Sequence, residues 1–525
     1  MSRQDADIAP AGMTRRGFLA RAGAGAGAVA LGGGFFASPP ARSATAVTSP
    51  TTFGRMFPSL PPFAPATDRV RADLRDLGRA GGRLDAGDDI AAGPVRLITD
   101  SNLSAGNPNN PSHTAGTTFV GQFVDHDITF DTRSTLGVPA DPARIRNARS
   151  PSLDLDSVYG AGPNGSAELY DPADTAKLVL GTGGTFEDLP RADNRSAIIG
   201  DPRNDEHLII AGLHAAFLLF HNHAVDVVRA EQPRARVDKA FSEARRLTTW
   251  HYHWMVLHEF LPLFVGQAAV DELLTNGRRF YKPALGQAFM PVEFQGGCYR
   301  FGHSMVRPSY RANLKGDGGQ PFFGMIFDPA GDGQADPVDL RGGVRAARRF
   351  IGWQTFFDFG DGEVKPNKRI DTHISTPLFN LPLGAIASHD QPQVLPQRNL
   401  LRGVTWSLPS GQALAAHMGL PALSAADLAE LKPYKGFATS TPLWYYTLKE
   451  AEVTADGLHL GPVAGRIVAE VLIGLLQSDP RSYLAAKPRW RPTLGLRPGE
   501  FRMTDFLRFA GVDPAARNAA QPDLA

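Results

Sequence analysis

The sequence predicts a mainly α protein that folds as a single large domain with few short strands. Helical periodicity of apolar residues recurs from about residue 118 onward, whereas alternating strand patterns are few and short. No repeat and no long linker divides the chain. Hydrophobic residues make up 42% of the 525 residues, enough to bury a large core. We therefore expect one helical domain over residues 116–525, preceded by two shorter segments.

The composition excludes several classes of protein. A formal net charge of +1 gives no overall attraction for nucleic acid or for anionic lipid. The single cysteine, Cys298, cannot form a disulfide within the chain, and no second cysteine is present to share a metal. A disulfide scaffold, a zinc-cysteine module and a nucleic-acid-binding protein are therefore disfavoured.

Residues 1–46 have the features of an export signal. Arg15-Arg16 is followed by Phe18-Leu19 and then by an uncharged stretch made mostly of Ala and Gly, which resembles a bacterial twin-arginine signal. Ala44 and Ala46 offer a cleavage pattern, and the uncharged stretch is too short and too glycine-rich to span a membrane. We expect a periplasmic or secreted protein with no membrane attachment after the signal is removed.

The rest of the chain divides into an arm and a series of helices. Residues 47–115 are rich in Pro, Gly, Asn and Asp, which predicts an irregular arm. Residues 205–229 are apolar nearly all round their middle, as in a helix buried in a large core. Further helices are predicted from about 118 and at 237–261, 297–305, 343–358, 410–418, 425–431 and 461–477.

The helix that begins near residue 118 carries a candidate for proton transfer. Gln122 and His126 are four residues apart and share one helical face, while Asp125 and Asp127 flank the histidine. Such a histidine can exchange a proton near neutral pH. A single buried histidine is more often a satisfied core residue, so this interpretation needs support from other segments.

A polar loop follows that could hold a cation. Ser150, Ser152, Asp154 and Asp156 occupy alternate positions, and in an extended loop alternate side chains project to the same side. Several oxygen donors, including two carboxylates, suit Ca²⁺. The alternative is a polar turn whose side chains cap the local backbone.

Three later segments combine groups that suit ligand binding, namely residues 201–207, 298–304 and 398–402. In the first, Arg203 and Glu206 stand at a predicted helix start, where an acid is ordinarily stabilising. In the second, His303 follows a glycine, which permits close approach of a flat group. In the third, Asn399 and Arg402 supply an amide and a cation. Taken alone, each segment is better explained by an ordinary structural role.

Taken in chain order, these segments resemble the animal-type haem peroxidase superfamily, which includes myeloperoxidase, lactoperoxidase and peroxidasin. The similarity extends from about residue 85 to 480, and divergence after Asn399 suggests a bacterial branch. Five family motifs occur in order: Gly121-Gln-x-x-Asp-His-Asp127, the loop ending in Val158-Tyr-Gly160, Arg203-x-x-Glu206, Arg300-x-Gly-His303 and Asn399-x-x-Arg402.

The resemblance implies a haem b enzyme that uses hydrogen peroxide to oxidise a halide, thiocyanate or phenolic donor. It implies proton transfer by His126, charge stabilisation by Arg203 and binding of water or an anion by Gln122. On the other side of the haem, it implies iron ligation by His303 and a hydrogen bond from that ring to Asn399. Arg300 and Arg402 are the implied partners of the haem propionates.

The resemblance also implies a covalently attached haem and a calcium site. Asp125 and Glu206 occupy the two positions that form ester bonds to haem in the family. The Met that forms a third bond in myeloperoxidase is replaced by His207, which disfavours chloride as the donor. The implied calcium ligands are Asp127, Ser150, Ser152, Asp154 and Asp156, with Ser152 contributing its backbone carbonyl.

Two alternatives stay open. Fatty-acid dioxygenases share this fold but need a radical tyrosine at the position of Arg300, and Tyr299 is one residue away, about 100° around a helix. An exported adhesion module would not require His126, Arg203, His303 and Asn399 together. The oligomeric state and the physiological donor are not predicted.

Overall fold

The computed structural model describes residues 51–521, which form helices joined by long irregular segments. The mainly α prediction is therefore confirmed. The predicted export signal lies outside the described residues and stays a prediction. The α-helices are α1 (Asp68–Leu77), α2 (Gly93–Thr99), α3 (Ala115–Ile128), α4 (Asp156–Tyr159), α5 (Leu208–Glu231), α6 (Val237–Met255), α7 (Leu261–Val265), α8 (Gln267–Asn276), α9 (Val292–Gly296), α10 (Gly302–Met305), α11 (Leu395–Thr405), α12 (Gly411–Met418), α13 (Leu443–Ala455), α14 (Pro462–Ser478), α15 (Met503–Phe509) and α16 (Pro514–Ala520).

Within the described residues, the strands form five separate two-stranded pairs. The pairs are β1 (Phe53–Gly54) with β7 (Met290–Pro291), β2 (Asn109–Thr114) with β10 (Pro366–Lys368), β3 (Tyr170–Asp171) with β4 (Asp174–Leu178), β5 (Gly181–Thr182) with β6 (Glu187–Asp188) and β8 (Ser309–Arg311) with β9 (Phe323–Met325). The first pair is parallel and the others are antiparallel.

The β2–β10 pair fixes the start of α3, the helix that carries His126. Strand β2 runs directly into α3, and the first amides of the helix bond to a distant part of the chain. Ala115 N donates to Lys365 O at 2.7 Å, and Gly116 N donates to Phe356 O at 2.9 Å. Because the helix start is held by these bonds, the position of its later residues is set relative to the core.

Helix α5 lies at the centre of the core. His207 caps its N-terminus by accepting a hydrogen bond from Ile210 N at 3.3 Å. The helix packs against α3 and α6. Among the described residues it is the one helix long and apolar enough to cross a membrane, yet 83% of its apolar window is buried inside the molecule. Core helices commonly have this composition, so its length is weak evidence for a membrane span.

Several predicted elements differ from the structure. The arm of residues 47–115 contains α1 and α2, so it is not wholly irregular. The helix predicted at 343–358 is wrong, because this segment is a loop with one short 3₁₀ turn, Trp353–Thr355. Its arginines turn inward and bond to carbonyl oxygens of other segments, Arg345 to Leu208 O at 3.1 Å and Arg349 to Asp339 O at 2.7 Å. These tertiary bonds attach the segment to other parts of the chain in its irregular path.

Candidate functional site

One cavity brings together predicted site residues from four separate parts of the chain. They lie on α3, in the 3₁₀ turn Pro202–Asp205 with the residues that lead into α5, between Tyr299 and Met305, and on α11. Eight of the predicted site residues line this cavity, namely Gln122, Asp125, His126, Arg203, Glu206, Arg300, His303 and Arg402. Gln122 and Arg402, which are 280 positions apart in the chain, therefore line the same cavity.

His126 is held by its Nδ1 atom and is uncharged at neutral pH. Its ring is 5% exposed, and Nδ1 lies 2.8 Å from Asn204 Oδ1. When this oxygen accepts a hydrogen bond from Nδ1–H, the one proton of the neutral ring is on Nδ1, and Nε2 carries a lone pair. Burial, and then the nearby Arg203 guanidinium, lower the pKa of His126 to about 3. A neutral imidazole with a free Nε2 can accept a proton.

Asn204 and His214 belong to the site but were not predicted from the sequence. Asn204 Nδ2 lies 2.9 Å from Nδ1 of His214, which projects from α5. Both side chains are fully buried. His214 is a polar residue inside an apolar segment and therefore requires a partner, which is the signal by which it could have been found. Asn204 stands among other polar residues and gives no such signal.

Arg203 is fixed beside two carboxylates, Asp201 and Asp125. Its Nη2 donates to Asp201 Oδ2 at 2.8 Å and to the carbonyl oxygen of Thr129 at 2.8 Å, and its guanidinium lies 4.1 Å from the centre of the Phe130 ring. Its Nη1 is 3.7 Å from Asp125 Oδ2. These contacts hold the guanidinium at the cavity wall with little freedom to move.

Two carboxyl groups face the cavity near Gln122. Gln122 Nε2 donates to Glu206 Oε2 at 3.3 Å, and Gln122 Oε1 lies 2.8 Å from His207 Nε2. Burial raises the pKa of Glu206 to about 8 and raises the pKa of Asp125 above its ordinary value. Both groups line the cavity, and of the two only Asp125 has an ion-pair partner among the described residues, Arg203 at 3.7 Å.

His303 lies at the cavity wall with Asn399 behind it. The Asn399 Nδ2 atom is 2.7 Å from His303 Nδ1, and Asn399 Oδ1 is buried without another partner. A half-turn of the amide presents its oxygen to Nδ1–H instead. In that form Nε2 carries the lone pair, as a metal ligand requires. Burial, and then Arg300, lower the pKa of His303 to about 3, so the ring is neutral.

The two cations expected beside the propionates differ. Arg402 Nη1 lies 2.8 Å from Asp131 Oδ2, so this arginine already has a carboxylate partner. Arg300 donates from Nε to Gln295 O at 2.8 Å and forms no ion pair within residues 51–521. Burial, and then the nearby Arg402, lower the pKa of Arg300 to about 9. Arg300 is therefore the cation that an anionic ligand would neutralise.

Three carboxylates form a candidate cation site at the C-terminal end of α3. The ligand oxygens of Asp127, Asp154 and Asp156 all lie within 4.8 Å of one another. Burial, and then the neighbouring Asp156 and Asp154, raise the pKa of Asp127 well above its ordinary value. Such mutual repulsion is what a bound cation relieves.

The serines of the predicted calcium loop do not all point to these carboxylates. Ser152 Oγ donates to Asp479 Oδ2 at 2.8 Å, so the expected convergence of alternate side chains is wrong for Ser152. Ser150 donates its backbone N–H to Asp156 Oδ2 at 2.9 Å. The physical reason is that residues 151–154 are bent rather than extended before Asp156 begins α4. A loop bent in this way does not keep the alternation of an extended strand.

The chain is similar in sequence to known haem peroxidases. Residues 132–322 match the animal haem peroxidase family. The chain is distantly homologous to these peroxidases. It is 28% identical to human eosinophil peroxidase over 201 residues, which cover 34% of this chain and 27% of that relative. The matched segment thus spans well under half of the relative's own length.

Solved structures share the fold. Peroxidase A from Dictyostelium discoideum superposes with a TM-score of 0.59 at 16% identity, covering 83% of this chain and 89% of that one. A fatty acid alpha-dioxygenase from Oryza sativa superposes with a TM-score of 0.53 at 15% identity, covering 80% and 76%. At such identities the likeness concerns the fold, which two different activities share.

The residues around the cavity fit the haem that this family implies. A methyl group added at Gly302 would meet no protein atom within 4 Å, so the backbone beside His303 leaves room for a flat group. The neutral His303 ring suits an iron ligand, and the unpaired Arg300 suits a propionate. Both features are expected of a haem pocket.

Proposed function

We propose that this protein is a haem-dependent peroxidase that uses hydrogen peroxide to oxidise a halide, thiocyanate or phenolic donor. One observation carries the proposal. A neutral His126 beside Arg203 and a neutral His303 backed by Asn399 line the same cavity. Adhesion or structural roles do not require this combination of groups.

His303 would ligate the haem iron through Nε2, and Arg300 would neutralise a propionate. Bound haem would supply the redox chemistry that cleaves the O–O bond of peroxide and then oxidises the donor. His126 Nε2 would take a proton from one peroxide oxygen and return it to the departing oxygen. Arg203 would stabilise the negative charge that develops there. Asp201 and Thr129 hold that guanidinium in place during the step.

Asp125 and Glu206 support covalent attachment of the haem. Each carboxyl group would replace one hydrogen of a haem methyl group with a C–O bond. The balance is one carboxylic acid, one methyl group and one hydrogen peroxide giving one ester and two waters. The oxidant is the peroxide that the proposed activity already uses. Haem that is fully extracted by acidified organic solvent would contradict the ester bonds alone.

The proposal is tested by rapid mixing of the haem-loaded protein with hydrogen peroxide while haem absorbance is followed. We expect His126→Gln to lower the second-order rate constant by roughly 10²–10⁴-fold while haem stays bound. The control is His258→Gln, which changes an exposed histidine that bonds to Tyr483 at the surface. Absence of haem binding, or a parental rate in His126→Gln, would overturn the proposal.

A fatty-acid dioxygenase is the second candidate, because Tyr299 lines the cavity and a dioxygenase shares the fold. Tyr299 donates its hydroxyl to the carbonyl oxygen of Gly121 at 3.3 Å. Burial raises the pKa of Tyr299 well above its ordinary value, and a carbonyl oxygen does not take up the proton that a radical would release. Oxygen uptake with a fatty acid, lost in Tyr299→Phe, would favour this activity over donor oxidation that requires peroxide.

A further inference from the structure

The Asn204 side chain bridges two histidines through the same ring atom of each. Its Oδ1 lies 2.8 Å from His126 Nδ1, and its Nδ2 lies 2.9 Å from His214 Nδ1. The three side chains are between 0% and 5% exposed, so water does not compete for these bonds. The bridge links the wall of the cavity to the central helix α5.

An amide between two Nδ1 atoms couples their protonation. The oxygen end can only accept a hydrogen bond, and the NH₂ end can only donate one. One Nδ1 must therefore carry a proton and the other must not. Two neutral rings bridged in this way hold opposite tautomers.

The orientation seen in the structure gives the useful tautomer to His126. With Oδ1 facing His126, that ring carries its proton on Nδ1, and Nε2 is bare. His214 then carries its proton on Nε2, which is buried without a partner. An unpartnered buried N–H costs free energy, as is common where a structure maintains a functional group.

The backbone of Asn204 is itself fixed. Its N–H donates to the carbonyl oxygen of Asp201 at 3.1 Å within the turn Pro202–Asp205. Asp201 Oδ1 also accepts from the backbone N–H of Arg203 at 2.9 Å. The amide is therefore held at a set distance from both rings.

We infer that Asn204 is a positioning residue that, anchored on His214, holds His126 in the tautomer that accepts a proton. This inference rests on the proposed peroxidase function. When His126 takes a proton on Nε2, its Nδ1–H is unchanged, so the amide need not turn during the cycle. The bridge thus keeps the ring in one orientation while Nε2 gains and loses the proton.

The tautomers can be read directly from the nitrogen spectrum of the full-length protein labelled with ¹⁵N-histidine. Haem-loaded protein is reduced and saturated with carbon monoxide, which makes it diamagnetic, and signals are assigned by their loss in His126→Gln and His214→Gln. In the parent we expect a protonated Nδ1 on His126 and a protonated Nε2 on His214. Finding both rings in the same tautomer would overturn the inference.

Substitutions at the bridge separate positioning from simple packing. In Asn204→Asp, a carboxylate accepts from both Nδ1 atoms, so the His214 proton should move to Nδ1 while His126 keeps its tautomer. In Asn204→Leu, which has no polar group, His126 should become a mixture of tautomers, and the peroxide rate constant should fall about 10-fold or more. A His214 signal that stays at Nε2 in Asn204→Asp would contradict the coupling.

Two further variants, at His214, test the anchor if Asn204→Leu does not fold. His214→Gln offers an oxygen that still accepts from Asn204 Nδ2, so His126 should retain its tautomer, whereas His214→Leu should disturb it. Identical His126 spectra in these two variants would overturn the anchoring role. The spectra report on the bridge whether or not peroxide reacts, so failure of the peroxidase proposal is recognised separately, by missing haem absorbance.

Discussion

Arg300 and Arg402 line the same cavity in different electrostatic states. Arg402 pairs with Asp131 at 2.8 Å, and that carboxylate is only 2% exposed. Arg300 forms no ion pair with the described carboxylates and makes one side-chain hydrogen bond, to Gln295 O. A buried charge without a counter-charge destabilises a protein, whereas removing one member of a buried pair leaves the other unpaired.

We expect the two arginines to respond in opposite directions in protein prepared without haem. Arg300→Met should raise the free energy of unfolding by about 1 kcal/mol, and Arg402→Met should lower it by about 2–3 kcal/mol. Urea unfolding measures both. With haem bound, Arg300→Met should lower haem retention, because the propionate loses its partner. Equal destabilisation by the two variants would contradict the assignment of Arg300 to an anionic ligand.

At the residue scale, site residues that stand in short motifs were predicted, whereas those that depend on long-range contacts were not. His126 and His303 stand in short motifs, and the structure brings both to one cavity. Asn204 and His214 were not predicted because they act through a hydrogen bond between a turn and a helix, and the spacing of residues in the sequence does not reveal such a bond. Ser152 misled the prediction because its loop is bent at residues 151–154 rather than extended.

At the element scale, buried carboxyl groups hold the ends of helices. Glu450 on α13 is 1% exposed and accepts from Val463 N and Ala464 N in the first turn of α14. Burial outweighs these hydrogen bonds and raises the pKa of Glu450 to about 7. Glutamate in an unfolded chain has a pKa of about 4.3. At pH values between these two pKa values, Glu450 is protonated in the folded state and ionised in the unfolded state.

Glu450 should therefore destabilise the fold as pH rises from 5 to 8. Because the folded state is the more protonated one, the free energy of unfolding falls with pH in this window, by at most about 1.4 kcal/mol per pH unit. Glu450→Gln keeps an acceptor and removes the titration, so its advantage over the parent should grow by roughly 3 kcal/mol from pH 5 to pH 8. Urea unfolding at both pH values measures this. Glu450→Ala, which loses the acceptor, should be less stable than Glu450→Gln at either pH. If the difference in free energy of unfolding between the parent and Glu450→Gln is the same at both pH values, the raised pKa is contradicted.

Helix prediction succeeded where burial and periodicity agree. Residues 205–229 were predicted as a buried helix and form α5, whereas the predicted helix at 343–358 is a loop. In that loop, Arg345 and Arg349 are buried and donate to carbonyl oxygens of other segments, contacts that the local apolar spacing does not reveal. Helix α11, which carries Asn399, was missed because its start, Leu395-Pro-Gln, follows a proline-rich segment that indicates a turn.

At the scale of the whole molecule, the three-carboxylate cluster joins segments far apart in the chain. Asp127 lies on α3 directly after His126, while Asp154 and Asp156 belong to the loop that leads into α4. Arg481, close to the C-terminal end of α14, lies 3.4 Å from Asp154 Oδ2. A cation at this cluster would tie these segments together, so its removal should loosen the fold as a whole and α3 in particular.

Calcium should stabilise the protein by an amount that depends on its concentration. At a free concentration 100 times the dissociation constant, a ligand specific to the folded state adds about 2.7 kcal/mol to the free energy of unfolding. Asp154→Asn should abolish this gain. In the presence of a chelator, the same variant should be more stable than the parent, because one of three mutually repelling carboxylates is gone. Asp238→Asn, an exposed position on α6, is the matched control and should keep the full calcium effect. A thermal unfolding midpoint that does not rise with calcium would contradict a cation site at this cluster and leave the haem site untouched.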